Sequence, residues 1–155
     1  MALTYAANHT EVKAVFSIAG NDHGEFIREY ARNPEFAKMI DEMFEGLKAP
    51  NGPVRFDMGA LPKEIAEIGI ENIEPTLDLR RAAPILASKE ILLIAGWDDT
   101  GVTIDNIVLP LYRTLQKEKA ENVKIQAFQD DHTFKKVRPE IAETIIKWIN
   151  KELLY

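Results

Sequence analysis

Three short apolar runs, each ending in polar residues, constrain the fold of this chain more than any other feature. Val12-Lys13-Ala14-Val15-Phe16-Ser17-Ile18-Ala19 leads into Gly20-Asn21-Asp22-His23-Gly24. Glu90-Ile91-Leu92-Leu93-Ile94-Ala95 leads into Gly96-Trp97-Asp98-Asp99-Thr100-Gly101, and Val123-Lys124-Ile125-Gln126-Ala127-Phe128 into Gln129-Asp130-Asp131-His132. Branched side chains lose rotamer freedom in a helix and fit a pleated sheet, so short runs of this kind read as strands. The second run is apolar on both faces, as a strand covered on both sides must be. The third alternates Val123, Ile125 and Ala127 with Lys124, Gln126 and Phe128, which suits a position nearer a sheet edge.

Helical patterns separate the runs. Ile104, Ile107, Val108, Leu111 and Leu115 make one apolar stripe, with Thr103 placed to cap it and Pro110 expected to kink it. A last helix follows Pro139 and carries Ile141, Ile145, Trp148, Ile149 and Leu153 on one face. Met1 to Asn8 reads as the end of a helix. Strands joined through crossover helices pair in parallel, so the expected class is α/β, a three-stranded parallel sheet flanked by helices.

Residues 24–88 follow another pattern. Phe26, Ile27, Tyr30, Phe36, Met39, Ile40, Met43, Phe44 and Leu47 suggest two short amphipathic helices broken at Asn33-Pro34. Pro50-Asn51-Gly52-Pro53 marks a turn, and Leu61 to Ile70 suggests a further helix. The segment exceeds what a crossover needs. It is either a helical cap inserted between strands or a set of ordinary packing helices. The chain then forms one domain, with residues 1–23 and 89–155 as its core portion and 24–88 as the cap.

Composition narrows the function. The 155 residues are one domain's length and long enough to bury a core. Nineteen Lys and Arg against 25 Asp and Glu give a net charge of −6, which argues against a nucleic-acid partner. With no cysteine there is no disulfide, thiolate nucleophile or cysteine-held metal. No apolar run is long enough to span a membrane, and the first residues lack the pattern of a secretory signal. The default compartment is the cytoplasm.

Ligand sites in open parallel sheets gather beyond the carboxyl ends of the strands. All three runs end there in polar groups, and two of the three histidines, His23 and His132, follow strands directly. A histidine oriented by a carboxylate is the base of a hydrolytic triad. Asp99 and His132, separated by one helix and one strand, fall on adjacent strand ends within reach of a hydrogen bond. Each has a plainer reading: Asp98-Asp99 as solvated turn or cap residues, His132 as a surface loop residue. Asn21-Asp22-His23 either contact a substrate or cap the following helix. His9 reads as surface, Ser17 as sheet filling, and no ligand spacing supports a metal.

The segment Ile91-Leu92-Leu93-Ile94-Ala95-Gly96-Trp97-Asp98-Asp99-Thr100-Gly101-Val102 resembles the acid-bearing segment of the α/β-hydrolase family: an apolar strand, Gly, two residues, Asp, two residues, Val. Asp131-His132-Thr133-Phe134 and the closing helix are similar to the family's histidine segment, and residues 24–88 to its cap. Met1 to Ala7 resembles the helix after the family's nucleophile turn. The resemblance implies a partial α/β-hydrolase fold with Asp99 as triad acid (Asp98 the alternative) and His132 as base. It implies no cofactor, an ester or peptide substrate, and substrate contacts from Asn21, Asp22, Phe26 and Trp97. Neither serine, Ser17 nor Ser88, lies in the G-x-S-x-G turn such enzymes use. The expectation is therefore a carboxyl-terminal portion, inactive alone, whose strand at 12–19 pairs with a second copy or with an amino-terminal half. The other expectations are a non-catalytic remnant, or a small α/β binding domain.

Overall fold

Glu90–Gly96 forms the central strand of a parallel sheet, and its sequence shows why. Ile91, Leu93 and Ala95 enter one apolar cluster, whereas Leu92 and Ile94 enter another on the opposite face. A strand with no polar face needs helices on both sides, and this one has them. The computed structural model describes residues 1–48, 67, 69–72 and 74–152. The turn expected at 50–53 and most of the helix expected at 61–70 lie outside them.

The strands are β1 (Ala14–Ile18), β2 (Glu90–Gly96) and β3 (Val123–Phe128), in the spatial order β1-β2-β3. Both pairings are parallel, with Phe16 beside Leu92 and Leu93 beside Ile125. The strand carboxyl ends therefore lie together. One face is covered by α1 (Ala2–Asn8), the short α4 (Ala83–Leu86) and α5 (Leu109–Lys117), through Leu3, Ala6, Leu86, Leu111 and Leu115. The other face takes α6 (Arg138–Glu152) through Ile141 and Trp148, with Phe134 beside them. The mixed α/β class and the helix-flanked three-stranded parallel sheet are as the sequence predicts.

The expected kink at Pro110 takes a specific form. Residues Ile104–Val108 make one wide π turn, started by Thr103, whose hydroxyl accepts from the Asn106 amide at 3.2 Å. Regular α-helix resumes at Leu109. A proline removes an amide and crowds the preceding turn, and the wider turn before it accommodates both.

Between β1 and β2 run α2 (His23–Arg32) and α3 (Pro34–Lys48). Asn33 divides them: it closes α2, and its side-chain oxygen accepts from the amides of Glu35 and Phe36 to start α3. Phe26 and Phe36 meet edge to face, with ring centres 5.5 Å apart. Tyr30 donates to Asp41 at 2.6 Å, which pushes the phenol up to about 12. A buried ionic cluster ties α2 to the segment before α4. Glu25, 2% exposed, receives Arg28, Arg32 and Arg80 at 3.1, 2.8 and 2.8 Å, and Arg28 also bonds the fully buried Asp78. Two buried carboxylates need such partners, because leaving either unpaired in the interior is costly.

No helix among the described residues is long and apolar enough to cross a membrane.

Candidate active site

Asp99 is the fixed point of the site. It ends the turn after β2, is 4% exposed, and uses both carboxylate oxygens. Oδ1 accepts from the amides of Gly101 and Val102 at 2.9 and 2.8 Å. Oδ2 lies 2.8 Å from Nδ1 of His132. The two amides fix the carboxylate's orientation, so the oxygen facing His132 is not free to rotate away. The His132 side chain is 60% exposed, and no described residue bonds its Nε2. A carboxylate that accepts from Nδ1–H sets the tautomer with the lone pair on Nε2, where it can take a proton from a reacting group.

The loop carrying His132 is built with equal care. Asp130, 1% exposed, accepts from the amides of Asp131 and Lys136 at 2.9 and 2.7 Å. Asp131 accepts from the amide and hydroxyl of Thr133, which hold its carboxyl below the usual range. Phe134 adopts φ 49° and buries its ring against Leu92, Ile94 and Trp148. A non-glycine residue in the left-handed region costs free energy, and here the buried ring holds it there. His132 is thus anchored by buried residues on either side, Asp130 and Phe134, while its ring stays open.

Of the two aspartates, Asp99 is the one that meets the imidazole. Asp98 is exposed and accepts from Nε2 of Gln129 at 2.9 Å, away from the imidazole. The other expected contacts divide. Asn21 and Phe26 line a pocket of about 120 Å³ between α2, α3 and the turn at 100–103. Asp22 and Trp97 do not. Asp22 is 1% exposed and caps α2, its Oδ1 accepting from the amides of Gly24 and Leu79 at 3.0 Å each. It is therefore a capping residue rather than a substrate contact, because its carboxylate is used up inside the fold. Trp97 stands 61% exposed outside the pocket. His9 bonds Glu11 at 2.8 Å and stacks on Tyr5.

Neither serine is placed for attack. Ser17 sits within β1 beside Leu93, and Ser88 precedes β2, at the opposite end of the parallel sheet from His132. Among the described residues no three His, Asp or Glu side chains are grouped so as to hold a metal ion. Gly101, Val102, Asp130 and Phe134 were not candidates from sequence. Gly101 and Val102 act through backbone amides, Phe134 through packing and Asp130 through a carboxylate turned onto its own loop, none of which residue type reveals.

No protein-family model matches the chain, and no curated protein matches it.

Proposed function

We propose that the chain carries the acid and base of a serine-hydrolase relay of the α/β-hydrolase kind, acting on an ester or on an amide or peptide bond. The observation that carries this reading is the 2.8 Å contact between Asp99 Oδ2 and His132 Nδ1, with the carboxylate buried and the ring open. A hydroxyl attacks the carbonyl as Nε2 takes its proton. The resulting imidazolium, stabilised by Asp99, returns a proton to the leaving group. In this reading α2 and α3 belong to a cap over the site. The hydroxyl comes from a strand–turn–helix segment outside this sequence that pairs along β1, so the chain alone has no serine-dependent turnover. Pairing of the same edge, Val12–Ala19, with a second copy is the alternative, favoured by the absence of a strand beyond β1 among the described residues.

An exogenous alcohol tests the acid–base pair without the serine. With 4-nitrophenyl butyrate and methanol, the wild-type chain is expected to give methanol-dependent ester cleavage about tenfold or more above His132→Ala. A positioned general base typically contributes about 10²–10⁴-fold, and part is lost without a bound nucleophile. Equal rates for wild type and His132→Ala would defeat the proposal. His9→Ala and His23→Ala serve as controls for unspecific imidazole reactivity.

A further inference from the structure

Buried polar atoms in folded proteins nearly always have a partner, and one that lacks it calls for an explanation. The side-chain oxygen of Asn21 is buried and unpaired. Asn21 follows β1 and lines the pocket of about 120 Å³ whose opposite wall includes Thr100 and Gly101, from the turn that holds Asp99. At a liquid volume of roughly 30 Å³ per water, this space is worth about four waters, the scale of a small organic group.

The two carboxylates of the wall and the Asn33 side chain are already engaged. Glu25 holds three arginines, Glu29 accepts from Arg32 and from the Asn33 amide at 2.8 and 2.7 Å, and the Asn33 oxygen caps α3. Their charges are matched locally, so nothing in the pocket asks for a cation. What it offers a ligand is one buried, unfilled acceptor, from Asn21, beside apolar surface from Phe26, Phe36 and Ile107, with the exposed polar residues Thr100 and Asn106 also in the lining.

We infer that this pocket binds a small, branched, neutral group bearing an N–H or O–H donor, which Asn21 recognises. Its assignment as the subsite for a side group of the substrate rests on the acid–base reading of Asp99 and His132; the binding itself does not. Discrimination comes from the penalty of leaving a buried acceptor unmet. A site built to bond a donor rejects the analogue that lacks it more strongly than a purely apolar site would.

Two isosteric probes test the inference: isobutyramide, which carries an NH₂ donor, and 3-methylbutan-2-one, which carries a methyl in its place. Titration of the isotope-labelled 155-residue chain is followed by NMR at the backbone amides of Asn21, Gly101 and Thr103. The expected result is saturable shifts at these amides, with isobutyramide binding about tenfold more tightly than the ketone. Asn21→Leu should bring the two probes to within about twofold, and Phe36→Ala should weaken both alike. Equal affinity of the two probes for wild type, or no saturable shift at these amides, would overturn the inference and leave the pocket a water site. His132→Ala should bind both probes as wild type does. Loss of ester cleavage in that variant with probe binding intact separates the two proposals, and failure of the methanol experiment leaves this one standing.

Discussion

A side chain on Gly96 would place its Cβ 2.5 Å from the backbone oxygen of Asp130. Gly96 ends β2 and Asp130 follows β3 by two residues, and the missing Cβ lets the two segments close: Trp97 donates to Phe128 at 2.9 Å and Asp98 to Asp130 at 3.1 Å. That approach brings the turn of Asp99 and the loop of His132 into hydrogen-bonding range. Gly96→Ala has to push backbone, not a flexible side-chain tip, so a loss of about 1–3 kcal/mol is expected from overpacking. Urea denaturation measures the loss. The Asp99–His132 contact should lengthen in the same variant, and the NMR signal of the Nδ1 proton reports it.

Asp99 and His132 should separate stability from chemistry. The imidazole is mostly exposed, so His132→Ala is expected to change stability by no more than about 1 kcal/mol while removing methanol-dependent ester cleavage. Asp99→Ala strands the amides of Gly101 and Val102, the latter buried, and should cost about 1–3 kcal/mol besides. Asp99→Asn keeps an acceptor for those amides and so keeps most of the stability, but it no longer fixes the imidazole tautomer. Its activity should fall towards that of His132→Ala. Denaturation curves and ester rates on the three variants check the ordering.

What could be read from the sequence was whatever depends on local pattern. β2 is evident because five consecutive residues, Ile91 to Ala95, apolar on both faces admit few alternatives, and the break at Asn33-Pro34 because both residues terminate helices. Thr103 was recognisable as a cap for the same reason. The cluster of Glu25, Arg28, Asp78 and Arg80 was not, since nothing near Glu25 in the chain announces residues some fifty positions away. Lys89 was also missed. It is 3% exposed and donates to the carbonyls of His9 and Val12 at 3.1 and 2.7 Å, a burial that a lysine's chemistry alone would not suggest. At the site, Asp99 and His132 could be proposed from strand order. The separate fates of Asp22 and Asn21 depend on which carbonyl or amide meets them, and this is settled only in three dimensions.

Asp22 should set part of the pH dependence of stability. Burial pushes its carboxyl up, and the Asp78 carboxylate adds to this against the pull of the Leu79 amide. An unfolded aspartate titrates near ~3.9. With the folded value higher, the native chain binds the proton more tightly between the two values. This contribution to stability is therefore present below about pH 4 and is lost as pH rises through the folded value. Asp22→Asn retains an oxygen for the Gly24 and Leu79 amides without the buried charge. It should match or exceed wild-type stability at pH 7 and flatten the decline. Asp22→Ala loses the cap, at about 1 kcal/mol, and strands the Leu79 amide as well. Urea midpoints at pH 4 and pH 7 for the three proteins test the sign.

The outer edge of β1 yields the last prediction. Ala19 donates to Ile94 and Glu90 to Lys13, each at 2.9 Å, so the odd-numbered residues of this strand face β2. Alternation then turns the backbone groups of Ala14, Phe16 and Ile18 outward, where no described residue pairs with them. Phe16 and Ile18 are also 38% and 42% exposed, so apolar surface flanks the open edge. Such an edge is a template for another strand. Two copies about a twofold axis would pair antiparallel and extend the sheet across the axis. At about 100 µM, on the order of the concentrations where exposed strand edges associate, sedimentation should report a species of about twice the 17.6 kDa chain mass. Ile18→Lys places a charge on the edge without touching a buried residue, and it should return the protein to a folded monomer. A wild-type chain that stays monomeric across this range would leave the edge without the role proposed for it.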